Sequence, residues 1–331
     1  MKAVMDFHRR LLLIAIACAP LPARGQPAGR RRTPKIGYLV LQSIGNTPSP
    51  ERLAFLDELR KLGYVPGKNI EMVYASAEGD EDFLKDACED LIRKKVDLIV
   101  TAGALPSVTA RAETKTIPIV MLAVGDPAGM VKTLSRPGGN LTGVSYLSTD
   151  LAGKRMQLLK DLVPGAKRIA VLWNSKNSNA RDERNAAVAA AKSLGLETND
   201  ITVTTGPELD DALDQLPRRK ADGLYVAFEG GLIASRRSDI VQYGLDNRVP
   251  VVSGWTFMTE GGALFSYAPD LGLIFRRAAH YVQKILQGTP PGNLPIEMPT
   301  KIELVINLKT AKALGIHVSE AFRLRADRMI E

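Results

Sequence analysis

The chain has 331 residues, which at about 150 residues per domain is enough for two domains that each bury a core. Hydrophobic residues make up 45% of the sequence and charged residues 24%, proportions that exclude wholesale disorder and a protein with many membrane spans. The formal charge of +8 is concentrated at the N-terminus, and no basic stripe with interleaved aromatic residues follows, so we expect no nucleic-acid partner.

The first 25 residues have the pattern of an export signal. A basic start that ends in Arg9-Arg10 precedes an apolar stretch, Leu11 to Pro20, and then small residues. The apolar stretch is too short to cross a bilayer, so we expect no direct membrane span and a mature periplasmic protein that begins near Gln26. Two variants stay open: a lipid anchor at Cys18, which ends an incomplete lipoprotein-type site, and twin-arginine export through Arg9-Arg10.

After this segment the sequence alternates between strand-like and helix-like stretches. Runs rich in Val and Ile predict strands at 35–41, 70–75, 96–102, 117–124 and 141–147, and helical periodicity predicts helices at 52–62, 83–94 and 107–111. A second series predicts strands at 167–173, 197–204, 223–228 and 249–255, with helices at 153–162, 180–194, 207–216 and 232–247. A long amphipathic helix at 271–286, a strand at 303–307 and a short helix follow. The alternation predicts an α/β protein with two doubly wound, Rossmann-like lobes, each with a parallel sheet covered on both faces.

Two such lobes form a cleft, and ligands bind beyond the carboxyl ends of the strands of doubly wound sheets. The residues at those positions combine carboxylates, hydroxyl and amide groups, a helix start and aromatic rings: Gln42, Ser43, Thr101, Ala104, Asp126, Trp173, Asn174, Glu229 and Trp255. An amino acid or a related zwitterion suits this set. A carboxylate would bind its ammonium, hydroxyl and helix N–H groups its carboxylate, and an aromatic side chain its apolar part.

The same residues have structural interpretations that stay open. Asp126 precedes Pro127 and is also typical of a helix cap or turn, and Asn174 is typical of an Asx-turn. Either tryptophan fits the core of a lobe, and Glu229 fits a solvated position.

Motifs for catalysis and cofactor binding are absent. No G-x-G-x-x-G follows a strand, and the sequence has no P-loop and no G-x-S-x-G. The two histidines of the mature chain, His280 and His317, form no pair at metal-binding spacing. Cys88 is the one cysteine that remains after signal removal. We therefore expect no metal, no cofactor and no disulfide. A hydrolase or isomerase with Asp126 and Glu229 as paired carboxylates is an alternative of another class.

Five motifs are spread through the mature chain in a consistent order. They are Leu62-Gly63-Tyr64 within 55–70, Gly125-Asp126-Pro127 within 117–127, Arg136-Pro-Gly-Gly-Asn140 within 136–143, Leu151-Ala-Gly-Lys154-Arg155, and Asn307 to Gly315 within 299–315. Together, from about Lys35 to Glu331, they closely resemble the ABC-transporter substrate-binding protein family that includes tryptophan- and tyrosine-type binders.

The resemblance implies a type I periplasmic-binding-protein fold, in which two lobes joined by three crossovers close on a ligand by a hinge, and no catalytic residues. By position it assigns Asp126, Asn174 and the crossover residue Ser145 to the ligand site. Relatives commonly have Asp-Pro where this chain has Glu229-Gly230-Gly231, a departure that bears on the identity of the ligand.

We predict a signal peptide at 1–25, a linker at 26–34, lobe 1 at 35–145 plus about 256–298, and lobe 2 at 146–255 plus about 299–331, with hinges near 143–148, 255–261 and 293–300. We expect the protein to deliver a small molecule, an aromatic or apolar amino acid or an aromatic acid, to an inner-membrane ABC permease. The alternative is a periplasmic sensing module that presents its ligand to a signalling partner.

Overall fold

The computed structural model describes residues 32–216 and 220–331. The predicted export signal, with Cys18, and most of the linker lie outside these residues. Within the described part, none of the helices combines the length and the apolar character that a bilayer crossing requires.

Lobe 1 is built on a five-stranded parallel sheet. Its strands are β1 (Lys35–Val40), β2 (Glu71–Ser76), β3 (Leu98–Ala102), β4 (Ile119–Val124) and β5 (Leu141–Ser145), in the order β2-β1-β3-β4-β5. Its first helices are α1 (Pro50–Lys61), α2 (Leu84–Arg93) and α3 (Ala104–Glu113). Helix α1 begins with Ser49 as its cap and Pro50 in its first turn, and it ends before Gly63, whose φ of +87° is the left-handed conformation that glycine adopts easily.

Lobe 2 has a seven-stranded sheet. Its strands are β6 (Arg168–Asn174), β7 (Glu197–Val203), β8 (Gly223–Val226), β9 (Val251–Ser253), β10 (Phe265–Pro269), β11 (Ile302–Asn307) and β12 (Arg328–Ile330), in the order β12-β11-β10-β9-β8-β6-β7. The helices that follow in the chain are α4 (Ser148–Leu162), α5 (Ser178–Ser193), α6 (Gly206–Gln215), α7 (Leu232–Ser235), α8 (Arg237–Asp246), α9 (Thr256–Glu260), α10 (Leu271–Leu286), α11 (Leu308–Ala313) and α12 (Glu320–Arg323). Only the β10–β11 pair is antiparallel among the described strands. The architecture confirms the predicted pair of doubly wound α/β lobes.

Two of the differences from the predictions concern the helix at 232–247 and the boundary between the lobes. We expected one helix over 232–247, but the chain leaves helical geometry at Arg236, whose guanidinium pairs with Asp210 of α6 and Asp239 of α8. We also expected lobe 1 to resume at about residue 256. Instead, β10 pairs with β9 and β11, so the second sheet includes residues 265–269 and lobe 1 resumes with α10, which packs against α1, β4 and β5.

Three segments connect the lobes: β5 to α4, β10 to α10, and the stretch from Glu297 to β11. Near the first and third, Ser145 N donates to the carbonyl of Glu297 at 2.9 Å and Glu297 N donates to the carbonyl of Gly143 at 3.0 Å. Gly143 has a φ of +145°, and a Cβ there would lie 2.0 Å from the carbonyl oxygen of Met121. A side chain at this position would therefore displace β4 beside the crossover.

One apolar cluster continues from lobe 1 into lobe 2. It includes Phe55 of α1 and Phe275 of α10, passes through Tyr146, Phe228 and Trp255 between the lobes, and reaches the α6–α8 side of the second sheet. The residues between the lobes are thus held by the cores of both.

Candidate ligand-binding site

A cavity of about 490 Å³ lies between the lobes, beyond the carboxyl ends of the strands. Lobe 1 contributes the segment after β1 (residues 41–52), the start of α3, Ala123, and Leu271 and Phe275 of α10. Lobe 2 contributes Asn177 and Asn179 after β6, residues 228–231 after β8, and Trp255 and Phe257 after β9. The volume is in the range of sites for small-molecule ligands.

Stacked aromatic rings form one wall of this cavity. The ring centres of Phe228 and Trp255 lie 3.9 Å apart, with an angle of 15° between the ring planes. The ring centre of Phe257, which also lines the cavity, lies 4.6 Å from that of Trp255. Behind them Tyr146 stacks on Phe228 at 4.2 Å, and its hydroxyl donates to the carbonyl of Gly254 at 2.7 Å. Three of these four rings, Phe228, Trp255 and Phe257, line the cavity and give it a continuous apolar wall.

Three buried N–H donors of the lining residues have no hydrogen-bond partner within the described part of the chain. They are Nε of Arg52, Nδ2 of Asn179 and Nε1 of Trp255. Arg52 is 7% exposed, and its Nη1 donates to the carbonyl of Ile44 at 2.9 Å. A buried donor without a partner costs about 1–3 kcal/mol, and these three donors belong to side chains that line the cavity.

The N-terminus of α3 adds further donors. Gly103, with a φ of +99°, precedes the helix and provides no capping side chain, and Gly103, Ala104 and Leu105 all line the cavity. The first N–H groups of a helix lack partners within the helix and carry partial positive charge, an arrangement that binds carboxylates.

The lining carboxylates differ in their surroundings. Glu229 is 1% exposed, and its carboxylate accepts from the backbone N–H groups of Gly231 and Ile233, the latter at 2.8 Å, so it caps α7. Burial raises the pKa of Glu229 to about 7, and the nearby Glu81 carboxylate adds to the rise, while these two N–H groups oppose it. Glu51, in the first turn of α1, is half-buried and lines the cavity.

The two lobes touch across the cavity. Nε2 of Gln42 in lobe 1 donates to the carbonyl of Gly230 in lobe 2 at 2.8 Å. A Cβ at Gly231 would lie 3.0 Å from Leu41, and one at Gly125 would lie 3.3 Å from the Cβ of Asn179. The cleft is closed in this structure.

Of the residues expected at the site from the sequence, the structure places five on the cavity wall: Gln42, Ser43, Ala104, Glu229 and Trp255. Trp173, the other tryptophan considered, packs with the lobe 2 core, and the Arg184 guanidinium lies 5.7 Å from its ring centre. Of the two tryptophans, Trp255 is therefore the one that lines the cavity.

Four expected residues lie outside the cavity lining, and local hydrogen bonds engage their side chains. Oγ1 of Thr101 bonds to Ser107 at 2.7 Å, and Oγ of Ser145 donates to the carbonyl of Val124 at 3.2 Å. Oδ1 of Asn174 accepts from Lys176 N at 3.0 Å, an Asx-turn. Asp126 is exposed, and its Oδ1 accepts from Ala128 N at 2.8 Å, at the start of the 3₁₀ turn Ala128–Met130.

Sequence reasoning missed Glu51, Arg52, Asn179 and Phe257. Phe257 and Asn179 lie two and five residues beyond strand-end positions that were considered, so a wider window after each strand would have included them. No sequence signal marks Arg52, which lies in the first turn of an amphipathic helix like many solvated arginines.

Comparisons with known proteins agree with this architecture. The family model described as "ABC transporter substrate binding protein" matches residues 49–330. A tyrosine-binding protein of Clostridioides difficile (strain R20291) is 31% identical over 274 residues, which are 82% of this chain and 78% of the relative.

Two solved structures of similar sequence differ in their state. An ABC domain from Streptococcus pneumonia in complex with L-Trp is 27% identical, covers 90% of this chain and 100% of its own, and has a TM-score of 0.83. The ligand-free, open structure of a substrate binding protein with adhesive properties from Clostridium difficile is 28% identical, covers 90% and 99%, and has a TM-score of 0.65. At equal coverage this chain superimposes better on the ligand complex.

Proposed function

Because this chain belongs to the ABC transporter substrate binding protein family, we propose that it is the exported solute-binding component of an ABC importer and that its ligand is an aromatic amino acid or an aromatic acid. The observation that carries the proposal is the combination, in one cavity, of the Phe228–Trp255 stack with the unpartnered donors of Arg52, Asn179 and Trp255. A molecule that satisfies both has an apolar ring and a carboxylate.

The carboxylate of the ligand would bind Arg52 and the N-terminus of α3. Arg52 supplies a positive charge from a buried position, and the α3 N–H groups supply directed donors beside it. For an amino acid, Glu51 is the carboxylate that we assign to the ammonium group, since Glu229 is engaged in capping α7. Asp126, expected from the sequence to hold the ammonium, lies outside the lining.

Closure of the cleft is the second part of the proposal. The Gln42–Gly230 hydrogen bond and the higher TM-score to the L-Trp complex than to the open structure both support a closed, ligand-holding arrangement of the lobes. The connections beside Ser145, Pro269 and Glu297 are the positions we assign to the hinges. Delivery to an inner-membrane permease and a periplasmic location belong to the same proposal, and a lipid anchor at Cys18 stays an open variant of it.

The proposal is tested by a thermal-shift panel on mature protein that has been unfolded and refolded to remove bound ligand. The panel contains L-tryptophan, L-tyrosine, L-phenylalanine, L-leucine and benzoate. A ligand at 100 times its Kd stabilises the folded state by about 2.7 kcal/mol, which raises the melting temperature measurably. We expect a shift with at least one aromatic compound, and the absence of any shift with all of them would contradict the proposal.

Two arginines of the same helix provide a matched pair of variants. Arg52→Met removes the buried charge and should weaken binding of the same ligand by roughly 30-fold or more, because one partner of a buried charge pair is lost. Arg60→Met removes an exposed arginine of α1 that lies outside the cavity lining, and it should leave the affinity unchanged.

A further inference from the structure

A second cluster of buried charges lies in lobe 2, outside the cavity lining. Arg155 of α4 and Glu183 of α5 are both fully buried, and Nη1 of Arg155 donates to Oε1 of Glu183 at 2.8 Å. Burying two charges costs several kcal/mol for each ion, and apolar residues of similar volume often serve stability equally well. Arg155 also ends the Leu151–Arg155 motif, to which the proposed function gives no role.

Glu183 is bonded to the aromatic wall of the cavity. Its Oε2 accepts from the backbone N–H of Phe228 at 2.9 Å, and its Oε1 accepts from the hydroxyl of Tyr225 at 2.8 Å. Phe228 is the ring that stacks between Tyr146 and Trp255. The position of its backbone therefore depends on the carboxylate of Glu183.

Arg155 is bonded to the segments where the chain leaves and enters lobe 2. Nη1 donates to the carbonyl of Ser148 at 2.9 Å, just after the first connection, and Nε donates to the carbonyl of Tyr267 at 2.8 Å, just before the second. The guanidinium also packs directly on Gly254, where a Cβ would lie 2.7 Å from Nη2. The next residue along the chain from Gly254 is Trp255.

We propose that Arg155 and Glu183 are a positioning pair for ligand binding: Glu183 fixes Phe228, and Arg155 fixes Gly254 and thereby Trp255, so that the two rings are stacked before a ligand arrives. This inference rests on the proposed function, because it assigns the stack to the ligand. The pair touches no ligand itself. A wall held in place in advance loses less conformational entropy on binding, and affinity increases accordingly.

The opposing explanation is that the pair serves stability alone. The two explanations predict different behaviour when all the buried polar groups of the cluster are replaced by apolar ones. The triple variant Arg155→Met/Glu183→Leu/Tyr225→Phe leaves no unpaired buried charge, yet it removes the bonds to Phe228, Ser148 and Tyr267. If the pair serves stability alone, a folded triple variant binds ligand like the wild type.

The experiment measures Trp255 emission and ligand affinity in a Trp173→Phe background, which leaves Trp255 as the one tryptophan. Glu183→Gln is a milder variant for the same measurements. It removes the negative charge but keeps the side-chain shape and one acceptor oxygen for the Phe228 N–H. Leu196→Ala, in the lobe 2 core away from the pair, is the control for reduced stability. We expect the triple variant to shift the emission of the unliganded protein and to lose roughly tenfold or more in affinity, Glu183→Gln to lose less, and Leu196→Ala to bind like the background.

Unchanged emission and unchanged affinity in folded Glu183→Gln and in the triple variant would overturn the inference. Loss of affinity in Leu196→Ala equal to that of the pair variants would also overturn it, because stability alone would then explain the effect. The emission of the unliganded protein separates this inference from the proposed function. If the background protein binds no aromatic compound, the proposed function fails, whereas the emission shift still reports whether the pair holds Trp255.

Discussion

Gln42 and Gly230 join the two lobes across the ligand cavity through a hydrogen bond of 2.8 Å from Nε2 of Gln42 to the carbonyl oxygen of Gly230. Gln42 follows β1 of lobe 1, and Gly230 follows β8 of lobe 2, so the bond connects the two lobes directly. Because Glu229 caps α7 from the neighbouring position, the carbonyl of Gly230 is held on a fixed backbone.

We predict that Gln42→Ala weakens ligand binding by about 2- to 10-fold, the effect of losing one neutral hydrogen bond from the closed state. Small-angle scattering should show that wild-type protein contracts on ligand addition and that the variant needs more ligand to reach the same radius of gyration. Ser43→Ala, which changes a lining residue without a hydrogen bond to lobe 2 among the described contacts, is the control. Equal affinity in the wild type and Gln42→Ala would contradict a role for this bond in closure.

The raised pKa of Glu229 leads us to expect a specific pH dependence of the free energy of unfolding. Its pKa is about 7 in the folded protein against 4.5 as a free side chain, so the folded state binds this proton more tightly than the unfolded state does. Its contribution to stability is therefore fully present below about pH 4.5 and is lost as the pH rises through about 7, by roughly 3 kcal/mol.

Glu229→Gln removes this titration while leaving the other carboxylates unchanged. Urea unfolding of both proteins at pH 5 and pH 8 should show that the wild type loses more stability over this interval than the variant does. A difference between the two proteins that is the same at both pH values would contradict the raised pKa.

Asp126 is expected to act on stability rather than on affinity. Asp126→Ala removes the carboxylate that accepts from Ala128 N and should lower the free energy of unfolding by about 0.5–2 kcal/mol, with near-normal binding by the folded protein. Asp126→Asn keeps the acceptor and should retain most of the stability. Calorimetric titration beside a melting curve measures both quantities. A large loss of affinity in Asp126→Ala at unchanged stability would restore the ammonium-binding role expected from the sequence.

The two tryptophans predict a clear fluorescence result. Trp255 lines the cavity and Trp173 packs in the lobe 2 core, so Trp255→Phe should abolish most of the emission change that a ligand produces. Trp173→Phe should preserve that change. The opposite pattern would place the ligand at another site.

The sequence was sufficient for the lobes and for part of the site, because both depend on local patterns. Alternation of strands and helices predicted the two sheets, and the rule that ligands bind beyond the carboxyl ends of strands selected Gln42, Ser43 and Trp255. That rule cannot decide the direction of each side chain. Thr101 and Ser145 lie at the carboxyl ends of β3 and β5, yet their hydroxyls bond within the protein.

Features that depend on distant parts of the chain could not be predicted. Arg52 lines the cavity beside the loop after β1, where its Nη1 donates to the carbonyl of Ile44. No local sequence pattern distinguishes Arg52 from exposed arginines. A hinge predicted near 255–261 assigned residues 256–269 to lobe 1, whereas the pairing of β10 with β9 and β11 assigns residues 265–269 to the sheet of lobe 2. The Arg155–Glu183 pair likewise joins two helices through residues that are 28 positions apart in sequence.

The central claim is that an aromatic ligand binds between the lobes against Trp255, and calorimetric titration of ligand-stripped protein with the strongest compound of the panel tests it most directly. We expect one site per chain, with binding that is at least tenfold weaker in Trp255→Ala, because the cavity wall loses its largest aromatic ring. Binding of equal strength in the wild type and in folded Trp255→Ala, or no binding of any aromatic compound by the wild type, would contradict it.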